Sequence, residues 1–157
     1  MPKSNLRFTL SLCIGRLFYK KTNDDMINEK LFHEKYTHFD KETVAEIIDI
    51  FIKEYQERID RLNQNLESRN LEELLKNAHA FKGSISNFDM GSKAYKDIAK
   101  MEEEVRPLLQ EMQQGRTLSQ NEEEAFFESL ENTFEDFKRD SRRLTGQIKE
   151  LRKHYVS

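Results

Sequence analysis

The sequence predicts an all-α protein, an up-and-down antiparallel four-helix bundle with a short extra N-terminal helix. Three observations point there. Apolar residues recur at intervals of three and four along four long stretches, the spacing that gathers them on one helical face. The 157 residues include only five glycines and two prolines, few for a protein built on tight turns. No stretch alternates apolar and polar residues with the period of two that a half-buried strand requires. Amphipathic helices joined by short polar connections bury their apolar faces against one another.

Residues 1–25 differ from the rest. Lys3, Arg7, Arg16, Lys20 and Lys21 against Asp24 and Asp25 give this segment a net +3, leaving −6 for 26–157 out of a total of −3. The chain is therefore divided into an N-terminal extension, 1–25, and a bundle domain, 26–157. The apolar run from Phe8 to Gly15 is closed by Arg16. It lacks a small-x-small cleavage site and is far too short to span a bilayer, which argues against a signal peptide or an anchor. Two readings of the segment stand side by side: a loosely attached extension, or sequence upstream of a natural start near Met26. A weak contact with a membrane surface or a partner ranks third.

Residues 28–36 fit a short helix laying Leu31, Phe32 and Tyr36 on the bundle. His33 and His38 fall here without a second group of ligands at metal-binding spacing, so they read as surface or boundary histidines. Asp40 can cap a helix whose stripe is Val44, Ile48, Phe51, Tyr55, Ile59, Leu62 and Leu66, ending near Ser68. Asn70 can cap the next, with Glu72 and Glu73 in the first turn favoured by the helix dipole; its stripe is Leu71, Leu74, Ala78, Phe81, Ile85 and Phe88. Around Asp89 to Ser92, Gly91 is the expected C-terminal cap and Ser92 the next N-cap. A third stripe runs through Tyr95, Ile98, Met101, Val105, Leu108, Leu109 and Met112, with a kink or irregular turn expected at Pro107. Gly115 to Thr117 forms a loop, and Ser119-x-x-Glu122 is a capping box opening the last helix. Its stripe, Phe127, Leu130, Phe134, Phe137, Leu144, Ile148 and Leu151, implies a helix of roughly 50 Å, whose basic end is expected to project or bend near Gly146. Seven phenylalanines between Phe51 and Phe137 supply bulk for the core.

Composition narrows the function. The length suits one domain, and long solvated helix faces absorb the 35% charged residues. A net charge of −3 argues against nucleic-acid binding, which calls for a clustered basic surface. The single cysteine, Cys13, cannot form an internal disulfide, so a reduced, cytoplasmic setting is expected. Glu102-Glu103-Glu104 and Glu122-Glu123-Glu124 point in three directions each on a helix and read as solvated faces; no metal site is expected. His154, in a basic tail, reads as an ordinary surface residue.

One group of residues stands apart from the packing pattern. At about 100° per residue, His79, Gly83 and Ser86 project roughly 100–160° from the centre of their helix's apolar stripe, and Lys82 lies on its shoulder. The imidazole should face water with a cation one turn on. A glycine inside a helix costs about 1 kcal/mol relative to alanine. Its place beside an exposed histidine and lysine fits close approach by a body outside the helix.

The pattern His79-x-x-Lys82-Gly83, followed by small residues and Phe88, resembles the phosphorylation-site helix of histidine-containing phosphotransfer (HPt) domains, and the likeness extends over about residues 40 to 145. The resemblance implies that His79 accepts a phosphoryl group, that Lys82 is its electrostatic partner, and that Gly83, Ser86 and Leu75 form the face that docks a receiver domain. Glycine commonly follows the histidine by about ten residues in that family. Asp89 holds the place here, and an insertion of Asp89-Met90 brings Gly91 into register. The chemistry is consistent: a neutral imidazole offers one free lone pair near pH 7, repulsion by Lys82 favours that neutral ring, and phosphoryl transfer depends on positioning and charge neutralisation. Ser84 and Ser86 are further candidate donors to the ring or to phosphate.

The expectation is a monomeric phosphorelay intermediate that takes a phosphoryl group from a receiver-domain aspartyl phosphate and passes it to another response-regulator receiver. A hybrid histidine kinase is the implied upstream partner. No Gly-rich phosphate loop is present, so ATP-dependent kinase activity is not expected. The chain needs no cofactor of its own; magnesium is expected in the partner receiver. The alternative is a non-catalytic helical module that docks receivers without carrying phosphate, and a weaker third possibility is a receiver-directed phosphatase or phosphate sink.

Overall fold

The computed structural model describes residues 26–156; the expectations for 1–25, including Cys13, lie outside them. Five α-helices follow: α1, Glu29–Lys35; α2, Lys41–Glu67; α3, Leu71–Ser86; α4, Lys93–Gln113; and α5, Gln120–Leu151, continued by a 3-10 turn, Arg152–His154. No strand occurs among the described residues. In the bundle α2 packs on α3 and α5, α3 on α4, and α4 on α5, a closed ring of four.

The expected caps open the helices. Asp40, Asn70, Ser92 and Ser119 each accept from the amide three residues on, at Thr43, Glu73, Tyr95 and Glu122. In the expected capping box, the Glu122 carboxylate takes its bond from the Ser119 hydroxyl, at 3.1 Å. Helices α2 and α4 end alike. Arg69 (φ 53°) and Gly115 (φ 97°) turn left-handed, and the next amides, of Asn70 and Arg116, reach back to the carbonyls of Asn65 and Glu111. Arg69 tolerates the strained conformation while its guanidinium pairs with Glu123 at 2.9 Å and lies over the Phe127 ring.

The four stripes meet in one core. Phe81 is fully buried, with Phe137 edge-on at 5.1 Å and Tyr55 edge-on at 6.0 Å. Removing such a ring typically costs about 3–5 kcal/mol, so Phe81 anchors α3 from beneath the face that holds His79.

Several expectations need correcting. Leu31 is exposed, whereas Phe32 of α1 and Tyr36 just after it are buried, since residue 31 is rotated about 100° from 32. Met112 at the end of α4 is also exposed. Gly91 is no left-handed cap: α3 ends at Ser86 with Asn87 right-handed, and Asp89 Oδ1 accepts from the Gly91 amide at 2.8 Å. Helix α4 continues through Pro107, so no irregular turn interrupts it there. Nor does the basic end of α5 project. Arg152 grips Asp49 of α2 through two hydrogen bonds, at 2.5 and 2.9 Å, and the Tyr155 hydroxyl meets His33 Nδ1 on α1.

Candidate functional site

The candidate site lies on the flank of α3 that faces away from the core. Leu75, His79, Gly83 and Ser86 follow one another at intervals of four, four and three, a single stripe on the helix. Leu75 is half-buried against the core, the His79 side chain is 68% exposed, Gly83 is exposed and Ser86 half-buried. A Cβ built on Gly83 would meet nothing within 4 Å. Nothing inside the protein therefore requires glycine at this position.

The ring and the lysine are joined by a residue on the neighbouring helix. Glu102 of α4 is buried, and three groups converge on its carboxylate. His79 Nδ1 lies 3.1 Å from Oε1, and the Lys82 ammonium donates to Oε2 at 2.9 Å. Arg106, one turn along α4, donates to the same Oε2 at 3.3 Å. Lys82 is thereby held with only 23% of its side chain exposed, against 51% for Arg106. Two cations against one carboxylate leave a local surplus of positive charge beside an exposed imidazole. An incoming phosphoryl group carries the complementary charge. Among the described residues His79 Nε2 has no hydrogen-bond partner.

This overturns the reading of Glu102-Glu103-Glu104 as solvated. Glu103 does face water, but Glu102 is buried and Glu104 accepts from the Thr133 hydroxyl of α5 at 2.9 Å. A signal was available: residue 102 stands four after Ile98 and three before Val105, on the edge of the apolar stripe. The two candidate serines bond locally. Their hydroxyls donate to carbonyls of their own helix, Ser84 to Ala80 at 3.3 Å and Ser86 to Gly83 at 2.5 Å. Repulsion between Lys82 and the ring is offset by the carboxylate between them.

The end of α3 is fastened from outside the bundle. Lys35 donates to the Ser86 carbonyl at 3.2 Å and the Tyr36 hydroxyl to that of Asn87 at 3.1 Å, satisfying two carbonyls that a helix end leaves orphaned. Asp89 Oδ2 accepts from the Asn28 amide at 3.1 Å, so the inserted aspartate is spent on the turn. A side chain at Gly91 would crowd Asp89 Oδ1, at 3.2 Å. No helix of the described residues is long and apolar enough to cross a membrane, and no group of three or more potential ligands among them is placed to hold a metal.

The family model described as the Hpt domain matches residues 46–152, which include all of α3, α4 and α5. No curated protein and no solved structure matches the chain.

Proposed function

Because the chain belongs to the Hpt domain family, and so has a general role in phosphorelay histidine phosphotransfer, we propose that it acts as a phosphoryl carrier and that His79 is the residue that takes up the phosphoryl group. One observation supports this above the others. The exposed imidazole and the two cations beside it are tied to one buried carboxylate, an arrangement with little use in packing and a direct use in holding a ring next to phosphate.

In this reading the donor is a receiver-domain aspartyl phosphate of a hybrid histidine kinase, and a second response-regulator receiver takes the group onward. The stripe of Leu75, Gly83 and Ser86 is the docking face. Receiver and α3 must come within bonding distance at Nε2, and the empty space at Gly83 allows that approach. Lys82 meets the phosphoryl oxygens as they arrive. A hydrogen bond to a charged group is worth about 1.5–3 kcal/mol, less at an exposed position. The chain works as a monomer in the cytoplasm with no cofactor of its own, magnesium belonging to the receiver.

Incubation of the full chain with a phosphorylated receiver tests the proposal. Acid-labile label should appear on the protein and map to His79. Receiver binding without label from any phosphorylated receiver would instead make it a docking module.

A further inference from the structure

Resting on His79 as the phosphoryl acceptor, we propose that Asp97 and Asp140 form a proton-dependent rung between α4 and α5, whose opening lets α4 shift beneath the site and so makes phosphoryl transfer sensitive to pH. Two polar rungs join these helices. At one, the Thr133 and Ser129 hydroxyls donate to the Glu104 carboxylate at 2.9 and 3.3 Å. At the other, the carboxyl groups of Asp97 and Asp140 are hydrogen-bonded to each other. From Glu104 back to Asp97, and from Thr133 on to Asp140, is seven residues on each helix, a spacing of about 10 Å in antiparallel register. Helix α4 packs between α5 and α3, and Glu102 stands between the levels of the two rungs with its carboxylate turned to Lys82 of α3. The place of α4 under the site is thus set from α5 on either side of residue 102.

Only the second rung depends on a proton. Two ionised carboxylates offer acceptors and no donor, so the bond between Asp97 and Asp140 requires one proton. Arg139 marks which residue holds it. Its guanidinium donates to both oxygens of the buried Asp140, at 3.2 and 3.3 Å, so Asp140 is the charged member and Asp97 the protonated one. Asp97 Oδ2 is buried without a hydrogen-bond partner. Ionisation would put charge on an oxygen that nothing solvates, beside a second carboxylate. Burial and that neighbour push the Asp97 carboxyl up to about 7, which places the loss of its proton to water near neutrality. The surrounding charges do not offset it. On α5, Asp136 adds negative charge and takes a third bond from Arg139 at 3.2 Å, while Arg143 bears on Asp140. On α4, Lys93 stands one turn before Asp97, and Lys100, three residues after it, lies 4.0 Å from Glu104. From α3, His79 and Lys82 turn to Glu102. Once Asp97 is ionised, the Glu104 rung alone fastens this stretch of α4 to α5.

Two measurements on the full chain decide the matter. In a His79→Gln background, where no ring titrates at the site, the carboxyl-carbon resonance of Glu102 should step together with that of Asp97 between about pH 6 and about pH 8. Asp97→Asn added to that background should remove the step. In proteins that retain His79, the rate of transfer from one phosphorylated receiver is compared between wild type and Asp97→Asn, so that the receiver and the ring contribute equally and cancel. The ratio, wild type over variant, should fall roughly threefold or more across the same range, a small part of the roughly hundredfold that a misplacement of about 1 Å costs. A Glu102 resonance that does not follow Asp97 overturns the proposal, and so does a ratio that stays constant. Should Asp97→Asn fail to fold, Asp140→Asn replaces it: the Asp97 step should then move down towards the ordinary carboxylate range, and an unmoved step overturns the rung. If the resonances behave as stated but no receiver labels the wild type, the acceptor assignment fails, and with it the link to transfer, while the rung stands.

Discussion

Asp97 of α4 and Asp140 of α5 face each other across the seam between their helices, carboxyl hydrogen-bonded to carboxyl. Burial, then the hydrogen bond and charge of Asp140, then the charge of Asp136, push the Asp97 carboxyl up to about 7. Burial also opposes ionisation of Asp140, but the bond from Asp97 and those from Arg139 outweigh it and hold Asp140 below the usual carboxylate range. Asp97 Oδ2 has no hydrogen-bond partner.

A pH dependence of stability follows. An acid whose folded value lies above its unfolded value binds more protons when folded, so it favours the fold below the unfolded value, and that contribution is lost as pH rises through the folded value. The window here runs from about 4 to about 7. Melting temperature should fall across it in the wild type, and Asp97→Asn should flatten that part of the profile and melt higher at pH 8. An identical pH profile in the two proteins would show that the seam titrates elsewhere.

His79→Gln should abolish phosphoryl acceptance and leave the fold intact. The side chain is mostly in water and Glu102 keeps Lys82 and Arg106, so stability should change by no more than about 0.5 kcal/mol. Label assays beside circular-dichroism melts check both halves; undiminished labelling would move the acceptor to another residue.

Gly83→Leu separates the fold from the docking face. With open space at the position, the variant should be up to about 1 kcal/mol more stable through helix propensity, while transfer from a receiver falls sharply. Unchanged binding and transfer would mean that no partner approaches α3 closely there.

Lys82→Ala should slow transfer or shorten the lifetime of the phosphohistidine even at saturating receiver. Removing one of the two cations on a buried carboxylate should also cost about 1.5–3 kcal/mol of stability, so rates belong at temperatures where both proteins are folded. A loss confined to receiver affinity, read by titration, would reduce Lys82 to a docking contact.

The helices were legible because each stripe and each cap is a local matter: Asp40, Asn70, Ser92 and Ser119 announce a helix start within four residues of sequence. The exposed face of His79, Lys82 and Gly83 was legible for the same reason, since it lies within one and a half turns. Glu102 was not read, because its role depends on a pairing of α3 with α4 across some twenty residues, and three glutamates in a row mimic a solvated surface. Gly91 misled through its residue type. Asp89 satisfies the turn with its side chain, and the left-handed position fell to Arg69 and Gly115. The return of the chain end onto α1 and α2 rests on the Arg152–Asp49 and Tyr155–His33 pairs, contacts more than a hundred residues apart that no local spacing announces.

Helix α1 lies before the stretch that the family model matches. The matched stretch opens at residue 46, inside α2 and after its cap. Yet Phe32 stacks on Phe88 at 5.7 Å, and Lys35 and Tyr36 close the end of the helix that bears His79. The end of the helix that bears His79 is thus closed by residues that lie outside the matched stretch. A fragment trimmed to residues 46–152 would leave two carbonyls and a phenyl ring bare at the foot of α3. Substitutions in α1 can therefore adjust the stiffness of the helix that bears His79 without altering a single residue of the matched stretch.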